Sequence, residues 1–162
     1  MDKSPTKVIR SCDWNPLMDD DLMFNVDGSA RGCPGSAGIG GVLRDHCGKV
    51  MGSFSRYIGN AEAITAEIIA IHQAAVLCAN SQVLVGKDIT IISDSKVVVS
   101  WVNGAGFGSL KHLNFIYDIR SLLSVLGRTV VIFNPRSTNC FADSLAKRGS
   151  NSEGDFISWE VH

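Results

Sequence analysis

Four acidic residues carry the chemistry that this sequence could perform: Asp27, Glu67, Asp94 and Asp143. Four carboxylates gathered at one place cannot all ionise without a counter-charge, because each disfavours ionisation of its neighbours. A ligand set made of carboxylate oxygens, without His or Cys, selects Mg²⁺ or Mn²⁺. Two such ions suit in-line displacement at a phosphodiester. The first hypothesis is therefore metal-assisted hydrolysis, provided that the fold brings the four acids together.

Glu67 is the most informative of the four acids. The apolar residues of segment 61–79 recur at spacings of three and four, which predicts an amphipathic helix. At 100° per residue, Glu67 falls between Ile64 and Ile71, inside the apolar stripe. A charged group on a buried face costs several kcal/mol unless it is paired or binds a metal. The alternative is that Glu67 lies on the edge of the stripe and reaches water.

Each of the other three acids has an ordinary structural explanation as well. Asp27 lies in an alternating segment, on the face opposite Phe24 and Val26, and could be a turn aspartate in an Asp-Gly pair. Asp94 follows a short apolar strand and could cap the next helix. Asp143 could be a first-turn acid that interacts with the helix dipole. These alternatives stay open at the level of single residues.

The pattern of the chain predicts which elements position the acids. Strands are predicted at 22–28, in a hairpin over 38–58 that turns at 45–49, at 88–93 and at 128–133. Helices are predicted at 61–79, 96–104, 109–126 and 139–148. Three strands followed by strands that alternate with helices indicate an α/β domain with a mixed sheet. We expect an N-terminal tail at 1–20, the domain at 21–150 and an acidic C-terminal tail at 151–162.

Composition limits the class of protein. The chain has 162 residues, of which 45% are hydrophobic and 19% charged, values typical of one globular domain. No apolar run is long enough to span a membrane, and the N-terminus lacks the apolar core of a signal peptide. Five scattered cysteines without a CxxC pair indicate a reducing, intracellular compartment, with nucleus and cytoplasm both open.

The charge distribution permits a nucleic-acid partner although the net charge is −1. Residues 22–150 contain 12 basic and eight acidic residues, so the acids in excess lie near the two termini. A phosphate-binding face is therefore compatible with the central region. Candidate phosphate contacts are Lys96, Lys111 and Arg136, although a solvated surface residue is the more common role of a lysine or arginine at each of these positions.

Four motifs in sequence order resemble the ribonuclease H domain, most closely the plant-type domains related to non-LTR retroelements. They are NVDGSARGCPGSAGIGGVLRD, TAEIIAI, IISDSK and NCFADSLAK, within residues 24–149. The resemblance implies the ribonuclease H-like fold, a five-stranded mixed sheet in which strands 1–3 are antiparallel, with helices on both faces. Combined in this order, the motifs are specific, whereas each of them alone would not be.

The resemblance also implies an activity and a set of residues. Members of the family hydrolyse the RNA strand of RNA/DNA hybrids with two Mg²⁺, for which Mn²⁺ can substitute, and leave a 3′-hydroxyl and a 5′-phosphate. Matched by motif, Asp27, Glu67, Asp94 and Asp143 are the catalytic metal ligands. The implied substrate-binding residues are Gly28, Ser29, Ser95 and Asn139, of which the last two could instead be helix caps. We expect a monomer that does not associate with membranes.

Three departures from the family pattern motivate a second hypothesis, a catalytically impaired domain that binds nucleic acid or serves as a scaffold. Where the family usually has a histidine, ten residues before the last aspartate, this chain has Phe133, which cannot transfer a proton. Cys33 replaces an asparagine in the glycine-rich turn. Ala63 and Ile64 replace asparagines that contact 2′-hydroxyls.

Overall fold

The computed structural model describes residues 21–106, 108–135, 140–152 and 154–159. These residues form a mixed sheet with helices on both faces, as the sequence predicts. The strands are β1 (Asp21–Ala30), β2 (Gly35–Arg44), β3 (Val50–Ala61), β4 (Asp88–Ser93), β5 (Thr129–Phe133) and β6 (Phe156–Trp159). The helices are α1 (Ala63–Ala79), α2 (Lys96–Val102), α3 (Leu113–Leu126) and α4 (Cys140–Ser150), and a 3₁₀ turn, Leu110–His112, precedes α3.

The first three strands form an antiparallel meander, in which β2 pairs with both β1 and β3. The turn between β2 and β3 is stabilised by Asp45, whose Oδ1 accepts hydrogen bonds from the backbone N–H groups of Cys47 and Lys49, each at 2.9 Å. This is the turn predicted at 45–49, and an aspartate that bonds the backbone two residues ahead is a common way to close such a turn.

The parallel part of the sheet brings two chain segments to the same edge. The strand order is β5-β4-β1-β2-β3-β6, with β1 parallel to β4 and β4 parallel to β5. Asn25 of β1 pairs with Ile92 of β4. Because parallel strands run in one direction, the residues that follow this pair on the two strands lie next to each other.

Glycine lets the helices pack directly against the sheet. A Cβ on Gly28 would lie 2.3 Å from the backbone carbon of Ala66, so α1 lies against this point of β1. On the opposite face, a Cβ on Gly40 would lie 2.5 Å from the backbone nitrogen of Ala146. Residues 27 and 40 pair across β1 and β2 and therefore share the face on which α4 lies. The two helices that carry Glu67 and Asp143 thus approach β1 from opposite sides.

The sheet has six strands rather than five. The additional strand, β6, pairs antiparallel with β3, inside the segment predicted to be a C-terminal tail. Its Trp159 stacks on Phe24 at a centroid distance of 6.0 Å. Four residues are too few to establish a two-residue period, so this strand is identified only by its partner.

The helix boundaries agree with the predicted ones to within a few residues, with one difference at the start of α3. The segment predicted as a helix from residue 109 begins with the 3₁₀ turn. Its buried side includes Ile116 and Ile119, whereas Phe115 is only partly buried. No helix of the described residues is long and apolar enough to cross a membrane. The predicted tail at 1–20 lies outside these residues.

We predict that Gly40→Ala lowers the free energy of unfolding by about 3 kcal/mol, because the new methyl group overlaps the backbone of α4. Urea denaturation measures the change. Gly59→Ala is the control, since an added Cβ there meets nothing within 4 Å and costs only about 1 kcal/mol through its positive φ. Equal losses in the two variants would contradict close packing of α4 on the sheet.

Candidate active site

Asp27 and Asp94 are neighbours because their strands are. Each follows the Asn25–Ile92 pair by two residues, so the two aspartates extend the same register on the same face of the sheet. Asp27 is 5% exposed. Asp94 is half-buried, one residue beyond the end of β4. It does not occupy the cap position of α2, because Ser95 does.

Glu67 reaches the same place from α1. It is 9% exposed, as its position in the apolar stripe predicts. Its Oε1 accepts a hydrogen bond from the backbone N–H of Gly28 at 2.5 Å, and its carboxyl group also hydrogen-bonds Asp27. The absence of a side chain at Gly28 permits this contact, since a Cβ there would lie 2.5 Å from the backbone nitrogen of Glu67.

Asp143 completes the group from the opposite face of the sheet. It lies in the first turn of α4, is half-buried and hydrogen-bonds Asp27. The Nζ of Lys147, one helical turn further, lies 3.1 Å from its Oδ2. Asp143 therefore contacts Asp27, in addition to lying where a negative charge interacts favourably with the helix dipole.

Three of the four acids lie close to one another, and the fourth contacts one of the three. Carboxylate oxygens of Asp27, Glu67 and Asp94 all lie within 4.8 Å of one another, whereas Asp143 joins them through Asp27. All four line one cavity of about 390 Å³. The other residues lining this cavity are Gly28, Ser29, Ala30, Ala63, Ser95 and Lys147.

The electrostatics of the cluster favour a bound cation. Burial, followed by the charges of Asp94 and Asp143, raises the pKa of Asp27 to about 7, against the opposing effect of the Glu67 hydrogen bond. Burial, followed by Asp27, raises the pKa of Glu67 to about 10. The protein alone thus stabilises the ionised acids poorly. Divalent cations that prefer oxygen ligands fit this donor set, because they supply the missing positive charge.

The residues predicted to bind substrate divide into two groups. Gly28, Ser29 and Ser95 line the cavity beside the acids, whereas Asn139 lies outside the described residues. Gly28 donates its N–H to Asp27, at 3.0 Å, as well as to Glu67. The Gly28 amide is therefore occupied by hydrogen bonds to the acids. Ser29 and Ser95 are the residues whose hydroxyl groups are available to a ligand.

Lys147 is the residue of the cavity that sequence reasoning missed. The signal was present, since Asp143 and Lys147 are four residues apart on a predicted helix and such pairs lie on one face. Among the predicted phosphate contacts, Lys111 is ion-paired with Glu62 at 2.5 Å, Lys96 is exposed, and Arg136 is outside the described residues.

Phe133, the residue in place of a histidine, lies on the strand next to the one that leads to Asp94. It is the last residue of β5 and pairs with Ser93, which directly precedes Asp94. Phe133 is 41% exposed. A phenyl ring here is accessible to a ligand, although it offers neither a proton nor a lone pair.

Comparison with known proteins gives consistent matches over the region that holds the site. A model of the reverse transcriptase-like family matches residues 25–149. A protein of Arabidopsis thaliana named "Putative ribonuclease H protein" is 29% identical over 141 residues, which are 86% of this chain. The chain spans 22% of the length of that relative.

Two solved structures of ribonuclease H1 enzymes are similar to the chain over most of their length. RNase H1 from the halophilic archaeon Halobacterium salinarum is 29% identical, with a TM-score of 0.72, over 82% of this chain and 98% of the other. LC11-RNase H1, isolated from compost, was solved in complex with an RNA/DNA hybrid. It is 26% identical, with a TM-score of 0.75, over 82% of this chain and 99% of the other.

We predict that Glu67→Gln raises the Tm of the protein by about 3 °C in EDTA, because it removes an acid that is buried beside Asp27. The same change should reduce the rise in Tm that Mg²⁺ causes in the wild type, since a cation ligand is lost. Differential scanning fluorimetry with and without Mg²⁺ measures both effects.

The matched control for this prediction is Glu62→Gln, because Glu62 is a solvent-accessible acid paired with Lys111. It should change Tm by less than about 1 °C and leave the effect of Mg²⁺ intact. A full Mg²⁺ response in Glu67→Gln would contradict a role for Glu67 in cation binding.

Proposed function

Because the chain belongs to the reverse transcriptase-like family and carries a ribonuclease H domain, we propose that it hydrolyses the RNA strand of RNA/DNA hybrids with bound divalent cations. The observation that carries the proposal is the convergence of three carboxylates within 4.8 Å, two of them buried. The hybrid bound by LC11-RNase H1 supports the choice of substrate.

The four acids would hold the cations. Asp27, Glu67, Asp94 and Asp143 present carboxylate oxygens to one cavity, and their unfavourable ionisation in the metal-free protein supports a cationic partner. Two Mg²⁺, or Mn²⁺ in their place, would supply Lewis-acid activation of water and stabilisation of the leaving oxygen. The sheet edge and the two helices hold the acids rigidly, so little reorganisation accompanies the reaction.

Recognition of the hybrid would depend on shape and on 2′-hydroxyl groups. Ser29 and Ser95 flank the acids and supply hydroxyl groups that can donate to and accept from a ribose. Gly28 positions the acids through its N–H, so it supports the site from within the protein. Asn139 remains a proposed substrate contact.

Two observations favour a second candidate function, a nucleic-acid-binding or scaffold domain with impaired catalysis. Ala63, which lines the cavity, offers no polar group to a 2′-hydroxyl, and Ile64 packs against the core. Phe133 places a phenyl ring beside the strand that leads to Asp94. The site therefore has fewer polar side chains that could contact a substrate than acids that could bind cations. The two candidate functions differ in whether the hybrid is cleaved at an appreciable rate.

We predict that Asp94→Asn lowers cleavage of a labelled RNA/DNA hybrid by about 10³-fold in Mg²⁺ or Mn²⁺, because the cluster loses one charged ligand. Binding of the hybrid should change little, as measured by fluorescence anisotropy in EDTA. The control is Asp118→Asn, on the exposed surface of α3, which should cleave like the wild type.

The same assay separates the two candidate functions. Hydrolysis that disappears in Asp94→Asn and persists in Asp118→Asn supports the nuclease. If the wild type and Asp94→Asn bind the hybrid equally well and neither cleaves it, the nuclease proposal is wrong and the binding domain is correct.

We predict that Phe133→His increases the cleavage rate by roughly 10- to 100-fold, because an imidazole at this position can exchange protons near neutral pH. Single-turnover rates across pH 5–9 measure the effect. Phe133→Leu is the control for loss of the ring and should not accelerate cleavage. If the histidine variant is no faster than the leucine variant, Phe133 is not what limits turnover.

A further inference from the structure

Lys147 is a basic residue in a cavity that is otherwise acidic. Among the residues that the structure describes, no other lysine or arginine lines this cavity. Its Nζ lies 3.1 Å from Oδ2 of Asp143, which is one turn earlier on α4. The Lys147 side chain is 64% exposed, whereas that of Asp143 is 30% exposed. The ammonium group is therefore carried by a flexible stem in contact with solvent, and it can leave the carboxylate without disturbing the packing of α4.

The ion pair involves the acid that stands apart from the other three. Carboxylate oxygens of Asp27, Glu67 and Asp94 lie within 4.8 Å of one another, and Asp143 joins this close group through its hydrogen bond with Asp27. The close group is therefore the stronger place for one divalent cation, because it offers three oxygen ligands together. A second cation that uses Asp143 must displace the ammonium group of Lys147 or tolerate its positive charge nearby.

The charges of the cavity also favour the first cation over the second. Four acids and one lysine line it, so the fully ionised lining has four negative charges and one positive charge. One divalent cation would leave a single negative charge in excess, whereas a second would make the site positive. A positive site is stabilised when an anion enters, and a phosphodiester in the substrate is such an anion. Binding of the second cation and binding of substrate are therefore expected to be coupled.

We propose that Lys147 is a positioning residue that makes the two cation sites unequal. With one cation bound, Lys147 pairs with Asp143 and weakens the second site. When a second cation and substrate enter together, Lys147 releases Asp143, and its ammonium group turns to a phosphate of the RNA strand. The inference rests on the proposed function, since it assumes that the four acids hold two divalent cations during hydrolysis of a hybrid.

Titration of the full chain with Mn²⁺, without nucleic acid, tests the competition for Asp143. Electron paramagnetic resonance reports the free Mn²⁺ and so gives the affinity of each site. In the wild type we expect one site and a second that is at least about tenfold weaker. Lys147→Gln should tighten the weaker site about fivefold, because the positive charge beside Asp143 is lost, and should change the stronger site less than about twofold.

Two control variants separate this effect from a general loss of charge or of stability. Lys147→Arg keeps a positive charge at the same position and should retain the weak second site. Lys49→Gln removes the same charge from the exposed turn between β2 and β3, and should bind Mn²⁺ like the wild type. If Lys147→Gln lowers Tm but leaves both Mn²⁺ affinities unchanged, the ion pair only stabilises α4 and the proposal is wrong.

A double-mutant cycle tests whether Lys147 acts through Asp143. Asp143→Asn keeps the size of the side chain and removes its charge, so it should abolish the weaker Mn²⁺ site. In this background, Lys147→Gln should change the affinity of the remaining site less than about twofold. Tightening of the remaining site by about fivefold would show that the lysine charge acts on the cavity as a whole, and it would overturn the competition for Asp143.

Cleavage of the hybrid supplies a second measurement. Lys147→Gln should reach half of its maximal rate at about fivefold less Mg²⁺ than the wild type, because the second site is tighter. It should also raise KM for the hybrid about fivefold, because the phosphate loses a charged partner. An unchanged KM would overturn the contact between Lys147 and the phosphate.

Failure of this inference differs from failure of the proposed function. If the chain cleaves the hybrid and Lys147→Gln leaves Mn²⁺ binding unchanged, the inference is wrong and the nuclease stands. If nothing is cleaved while Lys147→Gln still tightens the weaker Mn²⁺ site, the nuclease is wrong, and the competition between Lys147 and the second cation is supported.

Discussion

The hydrogen bond from the Gly28 N–H to Glu67 is the contact on which the site depends. It joins the strand that carries Asp27 to the helix that carries Glu67, at a point where any side chain on residue 28 would overlap the helix backbone. The bond partly offsets the cost of burying Glu67. Burial and the neighbouring Asp27 nevertheless raise the pKa of Glu67. A glycine and an acid, 39 residues apart, thus set the distance between α1 and the sheet.

The same principle operates on the opposite face of the sheet. Gly40 lies beside Asp27 in the sheet, and a side chain at this position would overlap the backbone of α4. Because residue 40 has none, α4 lies close to the sheet and Asp143 is within hydrogen-bonding reach of Asp27. Lys147 then supplies a positive charge beside Asp143. The acidic cluster is consequently a destabilising arrangement held in place by close backbone packing, and folding tolerates it because the rest of the core is apolar.

Much of the fold and of the site could be predicted. The stripe of α1, the turn at 45–49 and the alternation of strands and helices all follow from local patterns, and they give the element order and the mixed sheet. The sequence also identified Glu67 as a buried acid, since the periodicity that defines the helix places this residue among isoleucines. By contrast, β6 was missed because a four-residue strand has no recognisable period. Lys147 was missed because its spacing from Asp143 places the two residues on one face of a helix without showing that this face lines the cavity.

By itself the sequence determined the residue types and the face of each element on which they lie, because helical and strand periods are local properties. Only the tertiary structure decided that Asp27 and Asp94 extend one register. It also decided that Asp143 contacts Asp27 without joining the close group formed by Asp27, Glu67 and Asp94. It also decided that Asp45 has a buried oxygen without a partner among the described residues. Distances between elements depend on strand order and on how closely helices approach the sheet, and both arise from contacts between residues far apart in the chain.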